Sequence, residues 1–241
     1  MTHQIIAVRP EPSLSATLEL AQELALPLQG FALSRAHPCD WTAPDPADFD
    51  AILAGSGNAF RHGGAQLAKL TSLPVFAVGA KTAEAAVETG FRVSLEGQGG
   101  LQVLIDSLGP GAPERLLRLS GKDHVTLNPP EQVSLHKVIT YRMEQISLTQ
   151  AQADLLQQPA IIMLYSASSA AHFREQCEQF DVDIAQITIA ALGPRIAKAA
   201  GNGWAAVHAS DKPSEAELLA LAIRLWQLKP NASPGGGAED E

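Results

Sequence analysis

The chain has 241 residues, a formal net charge of −9, 46% hydrophobic residues and 5% aromatic ones. That is enough for two modest domains or one large one, with a core of Ala, Leu, Ile and Val. Charged residues are only 18%, too few for a disordered polyelectrolyte, and the acidic balance argues against nucleic-acid binding, which needs a basic surface. Cys39 and Cys177 form no C-x-x-C pair, and the histidines form no H-x-H or H-E-x-x-H pattern, so no metal site is expected. No apolar stretch approaches the roughly 20 residues of a membrane span, and the N-terminus shows no signal peptide. The expectation is a soluble, cytoplasmic monomer with two reduced thiols and no membrane partner.

Ile5-Ile6-Ala7-Val8 is a short apolar run stopped at Arg9-Pro10, and predicts a buried parallel strand. Leu14, Leu18, Ala21 and Leu24 predict a helix over 14–26, with Ser13 or Ser15 placed to cap it. Arg9 falls where strand meets helix, as a solvated end-of-strand charge or an anion contact in a cleft. A second extended run covers 28–34. Proline and aspartate then dominate up to Asp50, as at a crossing between domains. The strand 51–54 leads through Gly55-Ser56-Gly57-Asn58 into a helix carrying Phe60, Ala65, Leu67 and Ala68. The strand 74–78 ends in Gly79-Ala80-Lys81-Thr82-Ala83, and its helix runs to Gly90, a good C-terminal stop. Gly97-Gln98-Gly99-Gly100 lacks the spacing and the Lys of a phosphate loop, and reads as a turn before a helix over 101–108.

The strand 115–119 meets the loop Ser120-Gly121-Lys122-Asp123-His124, and an alternating strand covers 138–142. A helix follows over 150–157. The strand 161–164 then opens through Tyr165-Ser166-Ala167-Ser168-Ser169 onto an alanine-rich helix. The strand 189–192 does the same through Gly193-Pro194-Arg195, and 204–207 is a last strand. Ser214 with Glu217 three residues on fits a capping box for the final helix, 215–228. Composition predicts a disordered tail over 230–241.

Two halves of the chain align. Ile52-Leu53-Ala54-Gly55-Ser56-Gly57-Asn58 matches Ile162-Met163-Leu164-Tyr165-Ser166-Ala167-Ser168, with Ser56 and Ser166 110 residues apart. Ala77-Val78-Gly79-Ala80-Lys81-Thr82-Ala83 matches Ala191-Leu192-Gly193-Pro194-Arg195-Ile196-Ala197, with Gly79 and Gly193 114 residues apart. Alternating strands and helices predict an α/β fold of two similar βαβ domains with parallel sheets. Each sheet offers a crevice at its carboxyl end, where helix N-termini present free N–H groups suited to anions.

On these residues the chain resembles the uroporphyrinogen-III synthase family. The resemblance rests on Val8-Arg9-Pro10, Ala77-Val78-Gly79 with Thr82-Ala83, Tyr141, Tyr165 to Ala170, Ala190 to Pro194, and Ala209 with Pro213-Ser214. It implies a discontinuous domain of 1–34 plus 143–229, an inserted domain of 38–137, and a two-stranded connector of 28–36 and 138–142. It also implies the activity: hydroxymethylbilane is cyclised to uroporphyrinogen III, with loss of water and inversion of ring D through a spiro intermediate. No metal or organic cofactor is implied, and transient contact with hydroxymethylbilane synthase is. Helix N-termini suit the substrate's many carboxylates.

Tyr141 matches the family tyrosine implicated in loss of the hydroxyl, or else packs as a strand aromatic. The substrate-binding candidates are Arg9, Ser56, Asn58, Thr82, Lys122, His124, Ser166, Ser168, Ser169, Gly193, Pro194, Arg195 and Ser214. For the serines and Thr82, helix capping competes with binding. The chain departs from the family pattern at three places. Ala54-Gly55 stands where Phe-Thr is common and Ile196 where Thr is common, and only Lys122 and His124 stand near a frequent loop arginine. The competing readings are a non-catalytic two-lobed anion-binding module and a degenerate synthase-like domain.

Overall fold

The structure, a computed structural model, describes residues 4–109, 111 and 113–228. The expected tail at 230–241 lies outside the described residues. The chain divides into two compact units, one of Met1–Arg35 with Gln145–Glu241 and one of Ala36–Glu144.

The first unit holds a five-stranded sheet in the order β11-β10-β9-β1-β2. The strands are β1 (Gln4–Val8), β2 (Leu28–Phe31), β9 (Ala160–Leu164), β10 (Ile187–Ala191) and β11 (Ala206–Ala209), all paired in parallel. Its central strands are apolar at nearly every position because both faces are covered. Ile6, Val8, Ile162 and Leu164 enter one core layer with Phe173 and Cys177 of α6 (Ala167–Gln179). Ile5, Ala7, Ile161 and Met163 enter the other, with Leu14 and Ala21 of α1 (Ser13–Glu23) and Leu218 and Ala222 of α8 (Glu215–Gln227). Burial pushes the Cys177 thiol up to about 12, which makes it an inert core thiol.

The second unit holds a six-stranded sheet in the order β3-β8-β7-β4-β5-β6. The strands are β3 (Ser34–Pro38), β4 (Ala51–Ala54), β5 (Val75–Val78), β6 (Val93–Gly97), β7 (Arg115–Gly121) and β8 (Ser134–Gln145). From β8 to β6 the pairings are parallel. Ile52, Ala54, Leu117 and Leu119 pack on one face with Phe60 of α2 (Asn58–Arg61) and Ala83 of α3 (Ala80–Glu88). Ala51, Leu53 and Leu116 pack on the other with Leu104 of α4 (Leu101–Asp106).

Several local expectations change. The single strand expected over 28–36 is two strands, β2 in the first sheet and β3 in the second. They part at Leu33, which is 3% exposed in the first unit's core and whose carbonyl accepts from the Ile146 N–H at 2.9 Å. The strand expected over 138–142 is the longer β8. The helix expected after Asn58 breaks at Gly63-Gly64, where Gly64 has a φ of 63°, and resumes as a 3-10 turn at Gly64–Leu70. Neither Ser13 nor Ser15 caps α1, whose N-cap is Pro12; the Ser15 hydroxyl bonds Glu11 instead. A complete capping box stands at Thr149 and Gln152, opening α5 (Gln150–Leu155), where the sequence reading placed none.

Trp204, expected in the last strand, lies outside it. Its ring stacks on Phe173 with centroids 5.9 Å apart, and its Nε1–H donates to the Ala200 carbonyl at 2.9 Å. Area burial and the buried N–H together fix this ring better than a half-exposed edge strand would. Phe173 is 0% exposed at the centre of that layer. Phe173→Ala is expected to cost about 3–5 kcal/mol, read as an earlier urea midpoint for the unfolding of the first unit.

Candidate active site

In the second unit, the carboxyl ends of β4, β7 and β8 open onto a cavity of about 160 Å³. Gly55 and Ser56 line it from the β4–α2 turn, Arg118 and Gly121 from β7, His124 from the following loop, and Tyr141 from β8. The β7–β8 register slips between Ser120 and Gly121, which sets Gly121 opposite Tyr141. The tyrosine ring lies against the glycine: a Cβ there would come within 2.7 Å of Cζ and 3.0 Å of the hydroxyl oxygen. The Lys122 N–H donates to the Tyr141 carbonyl at 2.9 Å, fixing the strand at that point. His62 lies beside the ring, centroids 6.5 Å apart, and burial, helped by Arg61, lowers its pKa and favours the neutral imidazole.

His124 is held at both nitrogens. Nδ1 meets the carbonyls of Lys122 at 2.8 Å and Gly121 at 3.0 Å, and Nε2 lies 2.6 Å from the Lys137 ammonium. Carbonyls only accept and an ammonium only donates, so Nδ1 carries the proton and Nε2 is the acceptor. Ser56 accepts from the Asn58 N–H at 3.3 Å, an ST turn that opens α2. Thr82, 5% exposed, sits in the first turn of α3, where its N–H donates to the Gly79 carbonyl. It lies outside the lining of the Tyr141 cavity. Lys122 is exposed in the loop. The sequence reading missed Arg118, which is 4% exposed and donates from Nη1 to the Val125 carbonyl at 2.9 Å.

The first unit's crevice is organised differently. Arg9 at the end of β1 pairs with Glu215 at 2.5 Å, donates to Thr17 at 2.8 Å and stacks on the Tyr165 ring at 3.9 Å. The Tyr165 and Thr17 hydroxyls both donate to the other Glu215 oxygen, at 2.8 and 2.9 Å. The side chain expected to be either solvated or an anion contact is therefore the centre of an internal ion-pair network. Ser166 caps α6, accepting from the Ser169 N–H at 3.0 Å and donating to the Ser169 hydroxyl at 2.8 Å. Ser168 accepts from Gln145 at 3.3 Å. Gly193 is the N-cap of α7 (Pro194–Ala200), with Pro194 first in the helix and Arg195 exposed after it. Ser214 caps α8 through the Glu217 N–H at 3.3 Å.

Among the described residues no cluster of three or more His, Cys, Asp or Glu is placed to hold a metal ion, and no helix is long and apolar enough to cross a membrane. Parallel sheets whose carboxyl ends carry small hydroxyl residues, helix starts and one positioned tyrosine define an α/β enzyme acting on a small molecule. The chain belongs to the uroporphyrinogen-III synthase family, of the lyase type: the family model described as Uroporphyrinogen-III synthase HemD matches residues 21–220.

Two solved structures are similar in fold. The uroporphyrinogen-III synthetase from Helicobacter pylori 26695 is 18% identical with a TM-score of 0.64, covering 92% of this chain and 99% of its own. A mutant uroporphyrinogen III synthase from the extremely thermophilic bacterium Thermus thermophilus is 16% identical with a TM-score of 0.51, covering 94% and 100%. A sequence comparison with curated proteins gives no match.

Burial, then Glu215, raises the Tyr165 pKa above its ordinary 10.0. Above about pH 10 the unfolded chain loses this proton and the folded chain keeps it, so stability falls as pH rises, by at most about 1.4 kcal/mol per pH unit. Below that pH both states hold the proton and the group adds no pH dependence. Tyr165→Phe is expected to flatten this alkaline loss, measured as urea midpoints of the two proteins between about pH 9 and 11.

Proposed function

We propose that the family reaction, cyclisation of hydroxymethylbilane to uroporphyrinogen III, begins at Tyr141 in the second unit's crevice. The observation that carries this reading is the close seat of the Tyr141 ring on Gly121, in the lining of a cavity shared with Ser56 and His124. The leaving hydroxyl takes a proton from the phenol and departs as water, leaving a resonance-stabilised cation on the bilane. Closure at ring D through a spiro intermediate and loss of a carbon-bound proton then return the phenol to its starting state. The chain chiefly has to fold the bilane and exclude the unrearranged closure.

Within the second unit, Ser56, Asn58 and Lys122 are assigned to the substrate's carboxylate arms, His124, whose two nitrogens are already bonded, to holding the Lys137 ammonium beside them, and Thr82 to the buried start of α3. In the first unit, the helix starts at Ser166, Ser168 and Ser169, at Gly193, Pro194 and Arg195, and at Ser214 offer N–H groups and hydroxyls to the same class of anion. Arg9 is assigned to holding that crevice in shape, since its charge already faces Glu215. We also place the reaction in the cytoplasm, with substrate arriving through transient contact with hydroxymethylbilane synthase. The spontaneous closure of free hydroxymethylbilane to isomer I is the reason a rapid transfer is useful.

A coupled assay that generates hydroxymethylbilane in situ and separates the oxidised isomers tests this. Wild-type protein is expected to give mostly isomer III. Tyr141→Phe is expected to lower kcat about 100-fold with a smaller change in KM. Isomer I alone from folded wild-type protein would favour the non-catalytic readings, and an unchanged kcat in Tyr141→Phe would remove the phenol from the first step.

A further inference from the structure

Arg118 is a buried cation whose donors are largely unused. Side chains along β7 alternate, so Leu117 and Leu119 enter the core beneath α2 and α3, while Leu116 and Arg118 face the opposite layer. Arg118 stands in register between Leu53 of β4 and Lys137 of β8. A guanidinium has five N–H donors, and an arginine this buried ordinarily faces a carboxylate. Among the described residues, Arg118 makes one hydrogen bond, from Nη1 to the Val125 carbonyl, and no ion pair; its Nε is buried without a partner. Burial lowers its pKa, and the neighbouring Tyr141 offsets this only in part.

Its surroundings say what the partner would be. Arg118 lines the Tyr141 cavity and also an adjoining cavity of about 240 Å³, which it shares with His124 and Lys137. Lys137 adds positive charge in the second cavity, and Asp123, which lines the first, forms no ion pair with Arg118 among the described residues. Pinning Val125 needs a single donor. It does not account for a buried guanidinium whose Nη2 donors are unused.

We propose that Arg118 binds a carboxylate arm of the substrate, through a two-point contact from Nη2 and the remaining Nη1 donor, beside the Tyr141 hydroxyl. Arginine matches a carboxylate with two parallel N–H···O bonds, so the contact fixes the orientation of the arm as well as its affinity. This rests on the reading of the crevice given under Proposed function. It adds a residue that fixes how the bilane lies against the phenol.

The test compares wild type, Arg118→Met and Arg118→Lys by steady-state assay and by titration with uroporphyrinogen III kept reduced under anaerobic conditions. Arg118→Met is expected to raise the KM for hydroxymethylbilane and the Kd for uroporphyrinogen III at least about 10-fold, with kcat changed less. Its Kd should also depend less steeply on salt than the wild-type value, because one charge contact is gone; loss of the Val125 bond alone would leave that slope unchanged. Arg118→Lys keeps the charge and loses the fork, and is expected to fall between the two. Wild-type KM, Kd and salt slope in folded Arg118→Met would overturn the inference and leave the Tyr141 reading standing. If Arg118→Met does not fold, wild-type KM and Kd in Arg118→Lys would overturn it. If wild-type protein yields only isomer I, the Tyr141 reading fails. The uroporphyrinogen III titration then decides for Arg118 by the same criteria.

Discussion

Parallel pairing sets the direction in which everything functional in this chain points. In each sheet the central strands run the same way, so their carboxyl ends lie along one edge and the following helices begin there. Small residues are required at that edge because the chain turns at once from strand to helix. Gly55-Ser56 after β4 and Ser166 after β9 meet that need, and both serine hydroxyls accept from N–H groups at the helix starts. The one-residue slip between β7 and β8 is a departure from the regular ladder at the same edge, and it is what brings Tyr141 onto Gly121. Bulges of this kind re-aim a side chain next to active sites.

The two units use charge differently at their strand-end crevices. In the first, Arg9, Glu215, Thr17 and Tyr165 bond one another and leave only the Arg9 Nε without a partner, so the crevice carries an internally paired polar network and a neutral phenol. In the second, Arg118 is buried against a carbonyl and forms no ion pair among the described residues, although Asp123 lines the same cavity, and Lys137 is bound to an imidazole nitrogen. A paired network rigidifies a wall, whereas cations without acidic partners leave a crevice ready for an anion. The net acidic charge of the chain is thus a poor guide to the local field at the strand ends of the second unit.

Much of the architecture was legible because buried parallel strands have a plain signature. Runs such as Ile161 to Leu164 and Ala51 to Ala54 are apolar at every position, and each is followed within two residues by a serine that opens a helix. Repeating that pattern twice pointed to the family as well as to the α/β class. What stayed hidden depended on contacts distant in sequence or on covers with no periodicity. Glu215 meets Arg9 across 206 positions. Arg118 reads as an ordinary polar residue of the strand 115–119, and its burial comes with the irregular segment around Val125 and Leu127. Trp204 carried a strand's composition but left the sheet to stack on Phe173, since burying the indole and bonding its N–H outweigh a weak strand preference.

The account's central claim is that the reacting end of the bilane meets Tyr141 in the second unit's crevice. A crystal structure with uroporphyrinogen III, grown without oxygen, tests it most directly. The account predicts the Tyr141 hydroxyl within about 3 Å of the macrocycle or of a water bound to it, with the phenol still seated on Gly121. A macrocycle bound with the Tyr141 crevice empty would contradict it.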